Sequence, residues 1–147
     1  MIVPDVNLLL YAHLTPFPEH AAARRWWEQA AGSEREIGLA PVVIFGFVRI
    51  ATNRRVFERP LTISDATARV EEWLDLPTAR LLTPGPDHFA IAFRLLRRLG
   101  TAADLTTDAQ IAAFALENQA EVVSNDADFG RFPGLRWSNP LAPRRQR

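Results

Sequence analysis

Cysteine is absent from this chain of 147 residues, and so is lysine: all 17 basic residues are arginine. Without cysteine there is no thiol nucleophile, no disulfide and no thiolate metal site. Without lysine there is no phosphate-loop lysine, no Schiff-base lysine and no lysine of the phospho-receiver type. A genome rich in G and C, which favours arginine codons, accounts for the bias; the chemical exclusions hold whatever its cause. Histidine is scarce, and His13, His20 and His88 do not stand at metal-ligand spacing, so they read as surface or core residues. Long apolar runs are missing as well. None approaches the ~18 residues of a membrane-spanning helix. Met1–Asp5 has neither the basic segment nor the apolar stretch of a secretion signal, so a cytoplasmic location and no membrane partner are expected.

An excess of charge of either sign is also lacking: 17 acids offset 17 arginines. A nucleic-acid binder is usually basic, yet the arginines are clustered, at Arg24-Arg25, at Arg54-Arg55 with Arg59, at Arg94 with Arg97-Arg98, and at Arg144-Arg145-Gln146-Arg147. Acid gathered in one pocket with base on its rim gives the same zero. What is present is ordinary globular composition, 48% hydrophobic and 23% charged, with no linker or repeat. One domain over residues 1–147 is expected, with 141–147 a flexible basic tail.

Short apolar runs alternate with helical patterns. Ile2-Val3 reads as a buried strand end, followed by a helix over Asn7 to His13 that Asp5 can cap. Pro18 suits the first turn of a second helix reaching Ala31; on it Trp26 and Trp27 cannot both face one way. Ile37 to Ala40 is strand-like. Pro41 to about Thr52 is apolar nearly all round, the pattern of a buried helix. Thr62-Ile63-Ser64-Asp65 opens a helix to Leu74, Arg80-Leu81-Leu82 reads as a strand, and Asp87 to Leu99 is a helix stopped by Gly100. Leu105 reads as a strand remnant, and Thr107-Asp108-Ala109-Gln110 as a capping box whose helix runs to about Gln119. Glu121 to Ser124 and Leu135-Arg136-Trp137 close the series as strands. The alternation predicts an α/β fold with a covered, mostly parallel sheet.

Ligands of such sheets bind beyond the carboxyl ends of the strands. Three aspartates fall there: Asp5 after the first strand, Asp108 in the first turn after Leu105, and Asp126 after Glu121 to Ser124. Adjacent strands lie about 5 Å apart, so these side chains can converge. Converging carboxylates repel one another and call for a hard cation such as Mg²⁺ or Mn²⁺. A cation there suits phosphodiester hydrolysis. Taken singly, each aspartate has a plainer explanation: a cap for Asp5, the helix dipole for Asp108, and turn chemistry for Asn125-Asp126-Ala127-Asp128. Asp104 competes with Asp108, and Asp128 can add a water-mediated ligand or cap the next turn. Glu117, nine residues past Asp108, faces the other side of that helix.

Pro4-Asp5-Val6-Asn7-Leu8-Leu9-Leu10-Tyr11-Ala12 resembles the opening of a PIN domain. Leu105 to Ala113 resembles its third acidic motif, and Ser124-Asn125-Asp126-Ala127-Asp128-Phe129 with Arg131 to Trp137 its fourth. Val43 to Asn53 resembles one subgroup of VapC toxins, common in mycobacteria and other actinobacteria. The resemblance implies a three-layer α/β/α fold, Mg²⁺-dependent endoribonuclease activity with Mn²⁺ as substitute, a homodimer, transfer or ribosomal RNA as substrate, and a cognate VapB-type antitoxin. It implies Asp5 and Asp108 as principal metal ligands, Asp126 close by and partly through water, and Asn7 as the residue orienting the first aspartate. It implies too that an antitoxin tail lies beside the first helices. One departure stands out: most PIN domains carry a glutamate where this chain has Gly46. A haloacid-type phosphatase also opens with a strand-end aspartate, but it needs a second acid two residues on, where this chain has Asn7, and a lysine; a phospho-receiver domain needs that lysine too. A PIN-like fold serving as a catalytically weak RNA- or protein-binding module is the alternative to an enzyme.

Overall fold

A computed structural model describes residues 1–143. The basic run Arg144-Arg145-Gln146-Arg147, and with it most of the expected flexible tail, lies outside the described residues. The elements follow in the order β1 (Ile2–Pro4), α1 (Val6–His13), α2 (His20–Ala31), β2 (Ile37–Leu39), α3 (Pro41–Ala51), α4 (Ile63–Leu74), β3 (Ala79–Leu81), α5 (His88–Leu99), α6 (Thr106–Glu117), β4 (Glu121–Val123) and β5 (Arg136–Ser138). Two 3₁₀ turns, Ala103–Leu105 and Ala127–Arg131, stand before α6 and after β4.

The five strands form one sheet in the order β3-β2-β1-β4-β5, and every pairing is parallel. The expected α/β class therefore holds, with a sheet wholly rather than mostly parallel. The chain winds outward from β1 through β2 to β3, then returns through α5 and α6 to β4 on the other side of β1. Right-handed crossovers change the face covered by the helices at this reversal. The switch point falls between β1 and β4, whose register pairs Ile2 with Glu121 and Pro4 with Val123. A crevice opens there because the loops leaving the two strands diverge.

The strands are short and apolar because they are covered on both faces; Ile2, Val3, Ile37, Leu39, Val122 and Val123 are all buried. Helix starts and stops follow local chemistry. Thr62 caps α4 by accepting a hydrogen bond from the Asp65 N–H at 3.1 Å. Gly100, at φ 73°, takes the left-handed conformation that ends α5.

Four expectations need correction. Leu105 is not a strand remnant but the end of a 3₁₀ turn; a lone apolar residue between two helix starts has no partner strand to extend. Thr107 is not a cap, since α6 begins one residue earlier and the Thr106 hydroxyl donates to the Ala103 carbonyl at 2.7 Å. Pro18 lies in the turn before α2, which starts at His20. Helix α3 is not buried all round: Val43, Phe47 and Ala51 face the core, whereas Phe45 is 73% exposed.

Candidate metal centre

Asp5 is the first residue after β1, and its N–H continues the ladder to the Val123 carbonyl at 2.9 Å. Extended backbone there (φ −77°, ψ 158°) makes it the cap of α1. One carboxylate oxygen accepts from the Val6 N–H at 2.7 Å, and the other accepts from the Ser124 hydroxyl at 2.7 Å. Asp5 and Ser124 are both buried. The Ser124 oxygen itself accepts from the Asp126 N–H at 2.9 Å and from the Asn7 side-chain amide at 3.2 Å. Ser124 thus ties the ends of β1 and β4 together, and Asn7 reaches Asp5 through it. Sequence reasoning missed Ser124; the signal was a serine at a strand end two residues before the candidate Asp126.

Asp126 lies three residues past the end of β4. Its carboxylate accepts from the Asp128 N–H at 2.9 Å and so caps the 3₁₀ turn Ala127–Arg131. Asp108 enters from the first turn of α6. One carboxylate oxygen from each of Asp108, Asp126 and Asp128 lies within 4.8 Å of the other two. Asp128 is therefore a full member of the cluster. Its only ion-pair partner among the described residues is Arg131, at 3.8 Å with both side chains half exposed, a contact of little energetic weight.

The electrostatics agree with the geometry. Burial pushes Asp108 up to about 7, and the charges of Asp5, Asp126 and Asp128 add to the shift. Burial also raises Asp5, against the hydrogen bonds from Ser124 and Val6, and the Asp126 charge adds to it. No basic side chain offsets either shift. Asp5 thus stands close enough to act on Asp108 and Asp126, although its oxygens fall outside the tightest triad. A group of carboxylates with unrelieved repulsion is a place where a divalent cation can be held.

The other candidates fall elsewhere. Asp104 is exposed in the 3₁₀ turn and is not part of the triad. Glu117 is at the far end of α6, where it accepts from the Gly85 N–H at 3.1 Å and pairs with the buried His88 at 2.7 Å. His13 sits among Trp27, Phe47 and Trp73. His20 bonds the Tyr11 carbonyl at 2.8 Å. Gly46 faces α1, and a Cβ there would meet Val6 at 3.4 Å, an ordinary contact.

The PIN domain family matches residues 2–135. Ribonuclease VapC33 of Mycobacterium tuberculosis is 52% identical over 141 residues, covering 96% of this chain and 99% of that protein. Ribonuclease VapC37 of the same organism is 42% identical over 142 residues, covering 97% and 99%. Among solved structures, VapBC-1 from nontypeable Haemophilus influenzae aligns with a TM-score of 0.69 at 15% identity, covering 97% of this chain and all of the matched one. At that identity the likeness speaks for the fold alone. The motifs at Asp5, Asp108 and Asp126, the all-parallel sheet with its switch point, and these relatives lead to one assignment: the chain belongs to the PIN-domain family, within its VapC branch.

Proposed function

We propose that this chain is a Mg²⁺-dependent endoribonuclease, the toxin of a type II toxin–antitoxin pair. The observation that carries the reading is the meeting of Asp108, Asp126 and Asp128 within 4.8 Å, beside a buried Asp5, at the switch point of a parallel sheet. Asp5 and Asp108 are the principal ligands, with Asp126 close by and partly through water. Asp128 adds a fourth carboxylate at the rim; the chain has Gly46 where most PIN domains carry a glutamate. Mg²⁺ held there, or Mn²⁺ in its place, supplies polarisation of a phosphoryl oxygen and acidification of a bound water.

The protein's own part is orientation. Ser124 and the Val6 N–H fix the Asp5 carboxylate in one rotamer. Asn7 holds Ser124 from the α1 side. Asp126 anchors the turn that carries Asp128. Asp108, drawn toward its protonated form by burial and then by its acidic neighbours, would have to be deprotonated to serve as a ligand.

RNA is the substrate by the names of the 52% and 42% identical relatives, with transfer or ribosomal RNA as the class the resemblance favours. A VapB-type antitoxin is the partner, as the name of the VapBC-1 complex suggests. The working unit is a homodimer in the cytoplasm, each copy one domain over residues 1–147. No helix among the described residues is long and apolar enough to cross a membrane.

Incubation of the purified chain with total transfer and ribosomal RNA tests the reading. Cleavage is expected with Mg²⁺, is abolished by chelator, and falls at least about a hundredfold in Asp108→Asn. RNA binding without metal-dependent cleavage would instead favour the non-catalytic module.

A further inference from the structure

Beside the acidic cluster runs a groove of about 280 Å³ that the carboxylates do not line. Its walls come from α1, α3 and α6: Val6, Phe45, Gly46, Arg49 and Thr107 are among them. Two of these residues adjoin the candidate ligands in the chain, Val6 after Asp5 and Thr107 before Asp108, which places the groove next to the candidate metal centre. Gly46 keeps it open. A Cβ at that position would already touch Val6, and any longer side chain would extend into the space between α3 and α1.

The exposed edge of α3 carries two groups with matching chemistry. Phe45 is 73% exposed, more than any other large apolar side chain among the described residues. Arg49 is four residues on, hence on the same edge of the helix. It is exposed and has no ion-pair partner among the described residues, whereas Arg24, Arg35, Arg69, Arg80 and Arg131 each pair with a carboxylate. A free guanidinium next to an exposed aromatic ring, in a groove beside the proposed phosphodiester-cleaving centre, is the equipment for holding single-stranded nucleic acid.

We infer that this groove seats a nucleotide flanking the scissile phosphate, with its base stacked on Phe45 and its phosphate on Arg49. The inference rests on the nuclease reading and adds to it the residues that position the strand. Both groups act away from the reacting bond, so they are positioning residues. Readout through one stacked ring and one phosphate contact is tolerant of base identity. It requires the RNA to be unpaired at that nucleotide, because a base within a duplex has no free face.

The test measures binding of a fluorescein-labelled, mixed-sequence 12-nucleotide RNA by anisotropy. Ca²⁺ is present to neutralise the carboxylates with looser geometry than Mg²⁺. Phe45→Ala and Arg49→Ala are each expected to weaken binding about tenfold or more. The slope of log affinity against log salt should shrink by about 0.7 in Arg49→Ala only. Phe45→Trp should restore binding, and Gly46→Leu, which fills the groove, should weaken it with an unchanged melting temperature. A same-length RNA locked in a hairpin stem should bind worse than the single strand.

Total-RNA cleavage in Mg²⁺ is run alongside. If the wild-type chain cleaves RNA while Phe45→Ala and Arg49→Ala bind as wild type does, the groove assignment is wrong and the nuclease reading survives. Oligonucleotide binding with the expected variant pattern but no cleavage supports the groove and sinks the nuclease. Conversion of a dimer to monomer by Phe45→Ala in sedimentation, with RNA binding per chain unchanged, would give this face to a second copy and overturn the inference.

Discussion

Asp5 answers to two demands at once. As the cap of α1 it must accept from a backbone N–H, and as a buried carboxylate it must find a second donor, which Ser124 provides. Asp108 has no such support, and its position is electrostatically costly. Burial and the neighbouring acidic charges push its pKa up to about 7, so between the ordinary carboxylate range and pH 7 the folded state holds more protons than the unfolded state. Stability in chelator therefore declines as pH rises through that window. Asp108→Asn removes the repulsion, so its apo melting temperature at pH 8 is expected to exceed that of the wild type by a few degrees, about 3 °C, while the gap closes toward pH 5. A lower melting temperature at pH 8 would mean that Asp108 stabilises the fold by some other contact. The aspartates at 5, 108 and 126 were legible in the sequence because residue type and place after an apolar run suffice to nominate them. The parity of Asp128 with Asp126 was not, because it depends on how the 3₁₀ turn after β4 curls back, and the sequence at a turn does not give that curl.

At the scale of elements, α1, α2, α3 and α4 are locked by an aromatic cluster around His13. Its Nδ1 donates to the Leu9 carbonyl at 2.9 Å, and its Nε2 accepts from the Trp73 indole N–H at 2.9 Å. That pattern fixes one neutral tautomer, and burial pushes the ring down from 6.5 to about 4. The folded state resists protonation where the unfolded state takes it up. This contribution is complete above pH 6.5 and is lost as pH falls toward 4, by up to about 3 kcal/mol. Its sign is opposite to that of Asp108. His13→Gln should flatten the loss of stability between pH 6.5 and 4, at the cost of a lower melting temperature at pH 7; an unchanged acid limb would assign the loss to other groups.

The same cluster separates the two adjacent tryptophans of α2. Trp27 is 7% exposed and packs on His13 and Trp73, whereas Trp26 is only partly buried. Trp27→Ala should cost about 3–5 kcal/mol, and Trp26→Ala much less. If α2 borders the antitoxin tail, Trp26→Ala should keep its fold yet weaken inhibition; normal inhibition would take α2 out of that interface. That one tryptophan had to leave the core followed from the 100° step between neighbours; which one did so depended on α4 bringing Trp73 against α2. The apolar pattern of α3 misled for a related reason. A helix at the border of a groove can carry an apolar residue such as Phe45 outward, and periodicity does not distinguish a core face from a binding face.

Across the whole molecule, the neutral sum of charges conceals a division. Four carboxylates gather at one end of the sheet, while Arg54, Arg55 and Arg59 after α3 and Arg94, Arg97 and Arg98 on α5 are exposed elsewhere. The strand order β3-β2-β1-β4-β5 creates the concentration of acid, because it makes β1 and β4 neighbours although more than a hundred residues separate them in the chain. The alternation of strands and helices made the parallel sheet legible; the pairing of β1 with β4 was not, since nothing local to either strand names its neighbour. Everything proposed for the function depends on this meeting point holding a cation. Titration calorimetry with Mn²⁺ at pH 6.5, in two buffers of different ionisation enthalpy, is the most direct measurement. Binding by the wild-type chain with release of a proton from Asp108 is expected, and affinity at least about tenfold lower in Asp108→Asn with that proton release gone. Equal affinity in the two proteins would contradict this expectation.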